Sequence, residues 1–263
     1  MEVNPIKTGL INAKDDIVKI ISECVERYGV LDGDIFVIAS KVVAVSEGRV
    51  AELAKVRAST KAKRLAKKYA LEEGFAQLVI EEADAIFGGV PRAILTLKSG
   101  IFVANAGIDH SNAPIGHAIL WPKNPQEAAV NIRKRLSSRF GKKLGVIICD
   151  SHCVPLRAGS VGVAIGVSGI PAVIDERGKE DIFGRKMLIT RRAIADNLSC
   201  AAVSVMGECA ECTPAALVRN ANIPICDDNT ADELDKKNIS SMYISPKDCL
   251  YSSIFSKKIH KIK

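Results

Sequence analysis

Apolar positions recur along this chain with two different spacings. Residues 15–28 carry Ile17, Ile20, Ile21, Cys24 and Val25 on one helical face, with Asp15 or Asp16 as cap and Gly29 as the stop. Helices are likewise predicted over 59–70, 74–85 and 190–206, and over 125–140 with Arg and Lys along its outer face. A short helical run is read at 232–237, followed by residues 243–245 and the tail. Unbroken or alternating apolar runs mark strands at 34–40, 144–149, 160–168 and 215–219, and residues 6–9 read as an opening strand and turn. Residues 41–47 either continue the strand before them or start a turn. Residues 93–98 and 101–104, joined by Ser99-Gly100, predict a hairpin, and 105–112 a polar loop.

Helices and strands mix without a regular βαβ alternation, so the expected class is α+β rather than a doubly wound parallel sheet. No repeat and no Pro-rich linker divides the 263 residues. One unit over 1–263 is therefore expected, with a basic tail at 245–263. The first sixteen residues lack a basic start followed by an apolar run, and no stretch of eighteen uncharged apolar residues occurs. A cytoplasmic protein without a membrane span is expected.

The net charge of +7 suits an anionic ligand. Its basic residues crowd positions 57–68 and 257–263 with few aromatics between them, which reads as a solvated helix face and tail. Nucleic acid is not an expected partner. The eight cysteines stand outside any secretory context, so most are expected as small buried hydrophobes rather than disulfides. Cys209 and Cys212 form a C-x-x-C without a second pair or nearby histidines, which supports zinc only weakly.

The chain has no G-x-x-x-x-G-K-[ST], G-x-S-x-G or H-E-x-x-H. Its chemistry is expected from carboxylates at element ends. Asp109 lies in an Asn- and Gly-rich loop, which reads as a site or as an Asx turn. Asp150 ends the apolar strand G-V-I-I-C; a carboxylate there needs a cation or strong donors. Glu208 follows Met206-Gly207, with Glu211 three residues on. The three acids are candidates for holding hard cations around phosphates. Arg157, beside Gly159, is a candidate guanidinium for an anion next to Asp150, or a surface ion pair. His110 and His152 stand near the key acids, whereas His117 and His260 are unremarkable.

Several segments, taken in order, resemble the coenzyme F420-0:γ-glutamyl ligase family. They are S-K-V-V-x-x-x-E-G-R at 40–49, N-A-G-I-D-x-S-N at 105–112, D-S-x-x-x-x-x-R-x-G at 150–159, A-I-G-V-S-G-I at 164–170, D-I-F-G-R at 181–185, A-D-N-L at 195–198 and M-G-E at 206–208. The resemblance implies a homodimer with a family-specific fold of two closely associated parts. It implies GTP as co-substrate, magnesium or manganese, and potassium. The family adds L-glutamate to the phospholactyl end of the deazaflavin F420-0 through an acyl phosphate, then a second glutamate by a γ-linkage. Carried over by position, Asp109 and Asp150 would hold one metal, and Ser151 and Glu208 a second; the family usually has Thr at the Ser151 position. Ser40, Lys41, Asn112 and the stretch from Met206 and Gly207 through Glu208 to Thr213 would contact the nucleotide. Leu10 and Ile11 would lie near its base, and Asp150 and Arg157 would act in catalysis.

Three departures stand out. Val45 replaces a usual lysine, for which Lys41 is a substitute. Cys153-Val154 replaces a Gly-Arg pair. Cys209-Ala210-Glu211-Cys212 replaces a glycine-rich loop and brings side chains and a negative charge to where backbone N–H groups approach phosphate. A paralogous ligase with another carboxylate acceptor, and a non-catalytic nucleotide- or deazaflavin-binding relative, are the competing readings. RNA binding would show a steep salt dependence.

Overall fold

The buried strands read from the sequence assemble into one mixed sheet in the computed structural model, which describes residues 1–245 and 247–251. Most of the basic tail lies outside the described residues. In chain order the elements are β1 (Glu2–Ile6), α1 (Ile17–Val25), β2 (Ile35–Ala39), α2 (Ser40–Ser46), β3 (Val50–Glu52), α3 (Thr60–Tyr69), α4 (Glu73–Glu82), β4 (Ala85–Val90), β5 (Ala93–Lys98), β6 (Ile101–Ala104), β7 (His117–Ile119), α5 (Pro125–Phe140), β8 (Gly145–Cys153), β9 (Ser160–Ser168), β10 (Val173–Asp175), β11 (Arg191–Ala193), α6 (Ile194–Met206), β12 (Ala215–Arg219) and α7 (Asp228–Ser241). The class is α+β, as expected.

The main sheet runs β1-β12-β2-β8-β9. Only β2 and β8 pair in parallel within it. Strand alternation sends Phe36, Ile38, Val146 and Ile148 to one face, against α1 and α5. Ile35, Val37, Ile147 and Cys149 face the other way, against α6. The glycines of β9 let a helix come close: a Cβ on Gly162 would lie 2.4 Å from the Ser199 carbonyl of α6. A second core gathers Phe75 and Val79 of α4, Ile94 of β5, and Leu53 and Leu120 from just after β3 and β7.

Four expectations need correction, and one strand has no counterpart in the sequence reading. Residues 40–46 are helical, although their Val-rich run favours a strand. The Ala39 N–H is taken by the Pro214 carbonyl, β2 ends there, and the turned chain buries Val43 and Ala44, so packing overrides local preference. Residues 191–193 are a strand paired with β10, and the helix starts only at Ile194. Residues 85–90 pair with β5 as a strand whose register shifts between Ile86 and Gly88; its two glycines hide it from pattern reading. Arg133 does not line the outer face of α5. It is buried, and its Nε donates to Ser168 Oγ at 2.8 Å. Finally, among the eight cysteines only Cys149 is buried; Cys153, Cys209 and Cys212 are exposed.

The helix read at 232–237 extends over 228–241 because buried polar groups dock it. Asp235 accepts from Ser168 Oγ at 2.7 Å and from the Gly169 N–H at 3.2 Å. Asn238 accepts from the Ala172 N–H at 2.9 Å and donates to the Ile170 carbonyl at 2.8 Å. Asn238→Ala strands both backbone groups, and an unfolding-stability loss of about 2 kcal/mol is expected in urea denaturation. A variant as stable as wild type would mean that water replaces both bonds.

Candidate functional site

The parallel strands β2 and β8 end side by side, the usual location of a crevice in such sheets. A cavity of about 470 Å³ opens there. Its walls come from the ends of both strands, the start of α2, the loop after β6, the segment after β1 and the loop after α6. That volume lies within the range for small-molecule sites.

Alternation along β8 sorts the chemistry. Asp150 and His152 point to the α5 side of the strand, Ser151 and Cys153 to the α6 side. Asp150 Oδ1 accepts from Ser40 Oγ at 2.9 Å, and Oδ2 accepts from Trp121 Nε1 at 2.7 Å. Trp121 packs against Gly107, where a Cβ would lie 2.1 Å from Nε1. On the other side, Ser151 Oγ donates to Glu208 Oε1 at 2.6 Å, and Ser160 Oγ reaches the same oxygen at 3.3 Å.

Asp109 stands across the cavity, fixed by a two-bond bridge with Ile119. Its Oδ2 accepts from Lys41 Nζ at 2.9 Å and from the Ser111 hydroxyl, and its Oδ1 accepts from the Ser111 N–H. Burial pushes the Asp109 carboxyl up, but the Ser111 donors and then Lys41 outweigh it and hold the group below the usual carboxylate range. The stability this pairing contributes is present above the unfolded pKa and is lost as pH falls through the lowered one. Lys41→Met is expected to raise the Asp109 pKa in a carbon-detected NMR titration. No movement would place the ammonium elsewhere in solution. Burial pushes the Cys149 thiol far up, with Asp150 and Glu208 adding to the effect, which makes it inert at neutral pH.

Asn112 Nδ2 donates to the Cys209 carbonyl at 3.0 Å and ties the loop after β6 to the loop after α6. In the latter, Glu211 Oε2 accepts from the Cys209 N–H at 2.7 Å, and its carboxyl group lies over Gly207. The side chain thus crowds this backbone, as its sequence suggests.

Leu10, Ile11, Ser40, Lys41, Asp109, Asn112, Asp150, Ser151, Met206, Gly207, Glu208 and Thr213 all line the one cavity. Arg157 does not. β8 continues three residues past Asp150, and this carries Arg157 to the exposed tip between β8 and β9. The expected guanidinium beside Asp150 is therefore not found there. His110 stacks on Phe75, with ring centroids 4.3 Å apart, and is not part of the lining. One residue escaped the sequence reading: Trp121 gives no local signal. His152, singled out with His110 for standing near a key acid, does lie beside Asp150.

The donors around the cavity fit hard cations: carboxylates and hydroxyls, each already oriented by a hydrogen bond. Ser151 and Glu208 meet through one hydrogen bond, and Asp109 and Asp150 line the same cavity. Among the described residues, no three His, Cys, Asp or Glu side chains come close enough to hold one ion by themselves. A cation here would therefore take one or two protein ligands and complete its shell from phosphate and water, the common pattern for magnesium. Among the described residues, Cys209 and Cys212 join no metal-holding cluster.

The family model described as F420-0:Gamma-glutamyl ligase matches residues 5–220 of this chain. A protein of Methanocaldococcus jannaschii named Coenzyme F420:L-glutamate ligase is 44% identical over 78% of this chain and 82% of its own length. The protein of that name from Methanococcus maripaludis strain C7 is 38% identical over 92% of this chain and 97% of its own. That of Archaeoglobus fulgidus is 36% identical over 85% and 89%.

Proposed function

The chain belongs to the F420-0:γ-glutamyl ligase family, and on that premise we propose that it joins L-glutamate to coenzyme F420-0 in the cavity at the end of β8. The observation that carries this reading is convergence. Asp109, Asp150, Ser151 and Glu208, separated by up to ninety-nine positions, line one cavity inside the matched segment.

The reaction proposed is phosphoryl transfer followed by amide formation. The substrate carboxylate takes the γ-phosphoryl group of GTP, giving an acyl phosphate and GDP. The glutamate amine then attacks the acyl carbon, phosphate leaves, and the amine sheds a proton. A second, γ-linked addition repeats both steps. Magnesium or manganese would neutralise the phosphate charge during transfer, held by Asp109 and Asp150 and by Ser151 and Glu208. Ser40, Lys41 and Asn112 bind and orient the phosphates. Met206, Gly207 and Thr213 border the nucleotide, with Leu10 and Ile11 near its base. A potassium requirement and a homodimer belong to the same proposal. The dimer is supported by the exposed apolar side chains of Ile182, Phe183, Leu188 and Ile189 between β10 and β11, and of Leu156 at the tip that carries Arg157. No helix among the described residues is long and apolar enough to cross a membrane, which accords with a cytoplasmic enzyme.

A second reading, a non-catalytic nucleotide- or deazaflavin-binding relative, is favoured by one observation: Glu211 sits on the loop N–H that a phosphate would use. Incubation with GTP, manganese, L-glutamate and F420-0 separates the readings. Mass gains of one or two glutamyl units with release of GDP are expected. GDP release only with a different carboxylic acid would favour the paralogue. Binding of GTP or F420-0 without turnover would reduce the chain to a binding protein.

A further inference from the structure

We propose that His152 is a positioning residue for Asp150, and that it leaves Asp150 a single open coordination site; this rests on the reading of Asp150 as a cation ligand. The His152 side chain is 6% exposed, and its Nε2 is fully buried without a hydrogen-bond partner. A buried polar atom in that state needs an explanation. The nearest one is 3.5 Å away: Asp150 Oδ2. The imidazole lies nearly parallel to the Trp121 indole, at 11° with centroids 6.1 Å apart, so ring and indole approach the same carboxylate together.

The tautomer follows from elementary electrostatics. A bare Nε2 lone pair facing a carboxylate oxygen would be repelled. An Nε2–H facing it is attracted, and a shift of a few tenths of an ångström makes a normal bond. A carboxylate offers about four lone-pair sites. Ser40 takes one on Oδ1, Trp121 takes one on Oδ2, and His152 covers the second on Oδ2. The site that remains is on Oδ1. Asp150 is thereby held in one rotamer and donates through one oxygen only. Neither Ser40 nor Trp121 enforces this alone, because each leaves Oδ2 a free lone pair.

Two measurements test the pairing. Nitrogen NMR of the metal-free protein is expected to show a proton on His152 Nε2, protected from exchange. Manganese binding, followed by the EPR signal of the free ion, is expected to weaken about tenfold or more in His152→Phe and to recover to within about threefold of wild type in His152→Gln, which keeps a donor. An Nδ1–H tautomer overturns the proposal. So does wild-type manganese affinity in a His152→Phe protein that melts like wild type. Should His152→Phe fail to fold, His152→Gln and the tautomer decide. Should wild type bind no manganese even with GTP present to complete the shell, the cation reading of Asp150 fails, and the tautomer alone decides whether the pairing exists.

Discussion

Asp150→Ala lowers metal-dependent turnover by roughly a hundred- to a thousandfold while the protein stays folded, the loss expected when a group that stabilises transferring charge is removed. The expectation comes from the partners of Asp150. Ser40 and Trp121 both donate to it, so its charge is aimed at the cavity before any ligand arrives. The same two donors set a cost. Without the carboxylate, the Trp121 N–H loses its acceptor, at about 1–3 kcal/mol of stability. Asp150→Asn keeps an acceptor and removes the charge, so it separates the two effects. It should match the alanine variant in turnover and exceed it in stability. Turnover rates are to be read beside near-ultraviolet circular dichroism. A folded Asp150→Ala protein with undiminished turnover would remove Asp150 from the site.

Gly107→Ala is expected to damage both fold and site. The glycine has φ +75°, a conformation that costs other residues about 1–2 kcal/mol. The new methyl would also lie 2.1 to 2.4 Å from three atoms of the Trp121 indole, and overpacking of this kind costs about 1–3 kcal/mol. Together a loss of about 2–5 kcal/mol is expected in chemical denaturation. Whatever fraction remains folded has a displaced indole, so Asp150 loses the Trp121 bond and turnover falls with it. Trp121 is the only tryptophan in the chain, which makes intrinsic fluorescence a direct reporter. A red-shifted emission at low denaturant is expected. Wild-type emission and stability in Gly107→Ala would mean that the loop yields instead of the ring.

Much of the fold was legible because its periodicity is local. The strand at 160–168 and the helix at 125–140 coincide with β9 and α5. Their signals, alternation ended by Gly169 and a Pro-started amphipathic run, lie wholly within each segment. The strand at 85–90 and the helix at 40–46 were not legible, since bulge glycines mask the first and tertiary packing decides the second. The site divides the same way. Asp109, Asp150 and Glu208 stand out where apolar runs meet polar residues. Their convergence depends on the parallel pairing of β2 with β8, which no local pattern states. Trp121 reaches Asp150 across the junction between the two cores. Arg157 was misplaced because the sequence does not show how far β8 runs beyond its apolar stretch.

That run of β8 also limits how the chain can vary. Asp150 and Ser151 serve opposite sides of one strand, each with its own oxygen set. Inserting or deleting a single residue between Gly145 and Asp150 would exchange their sides, turning the carboxylate toward Glu208 and the hydroxyl toward Trp121. Length changes in this stretch are therefore excluded by chemistry as well as by packing. The exposed tip at residues 154–159 carries no such parity.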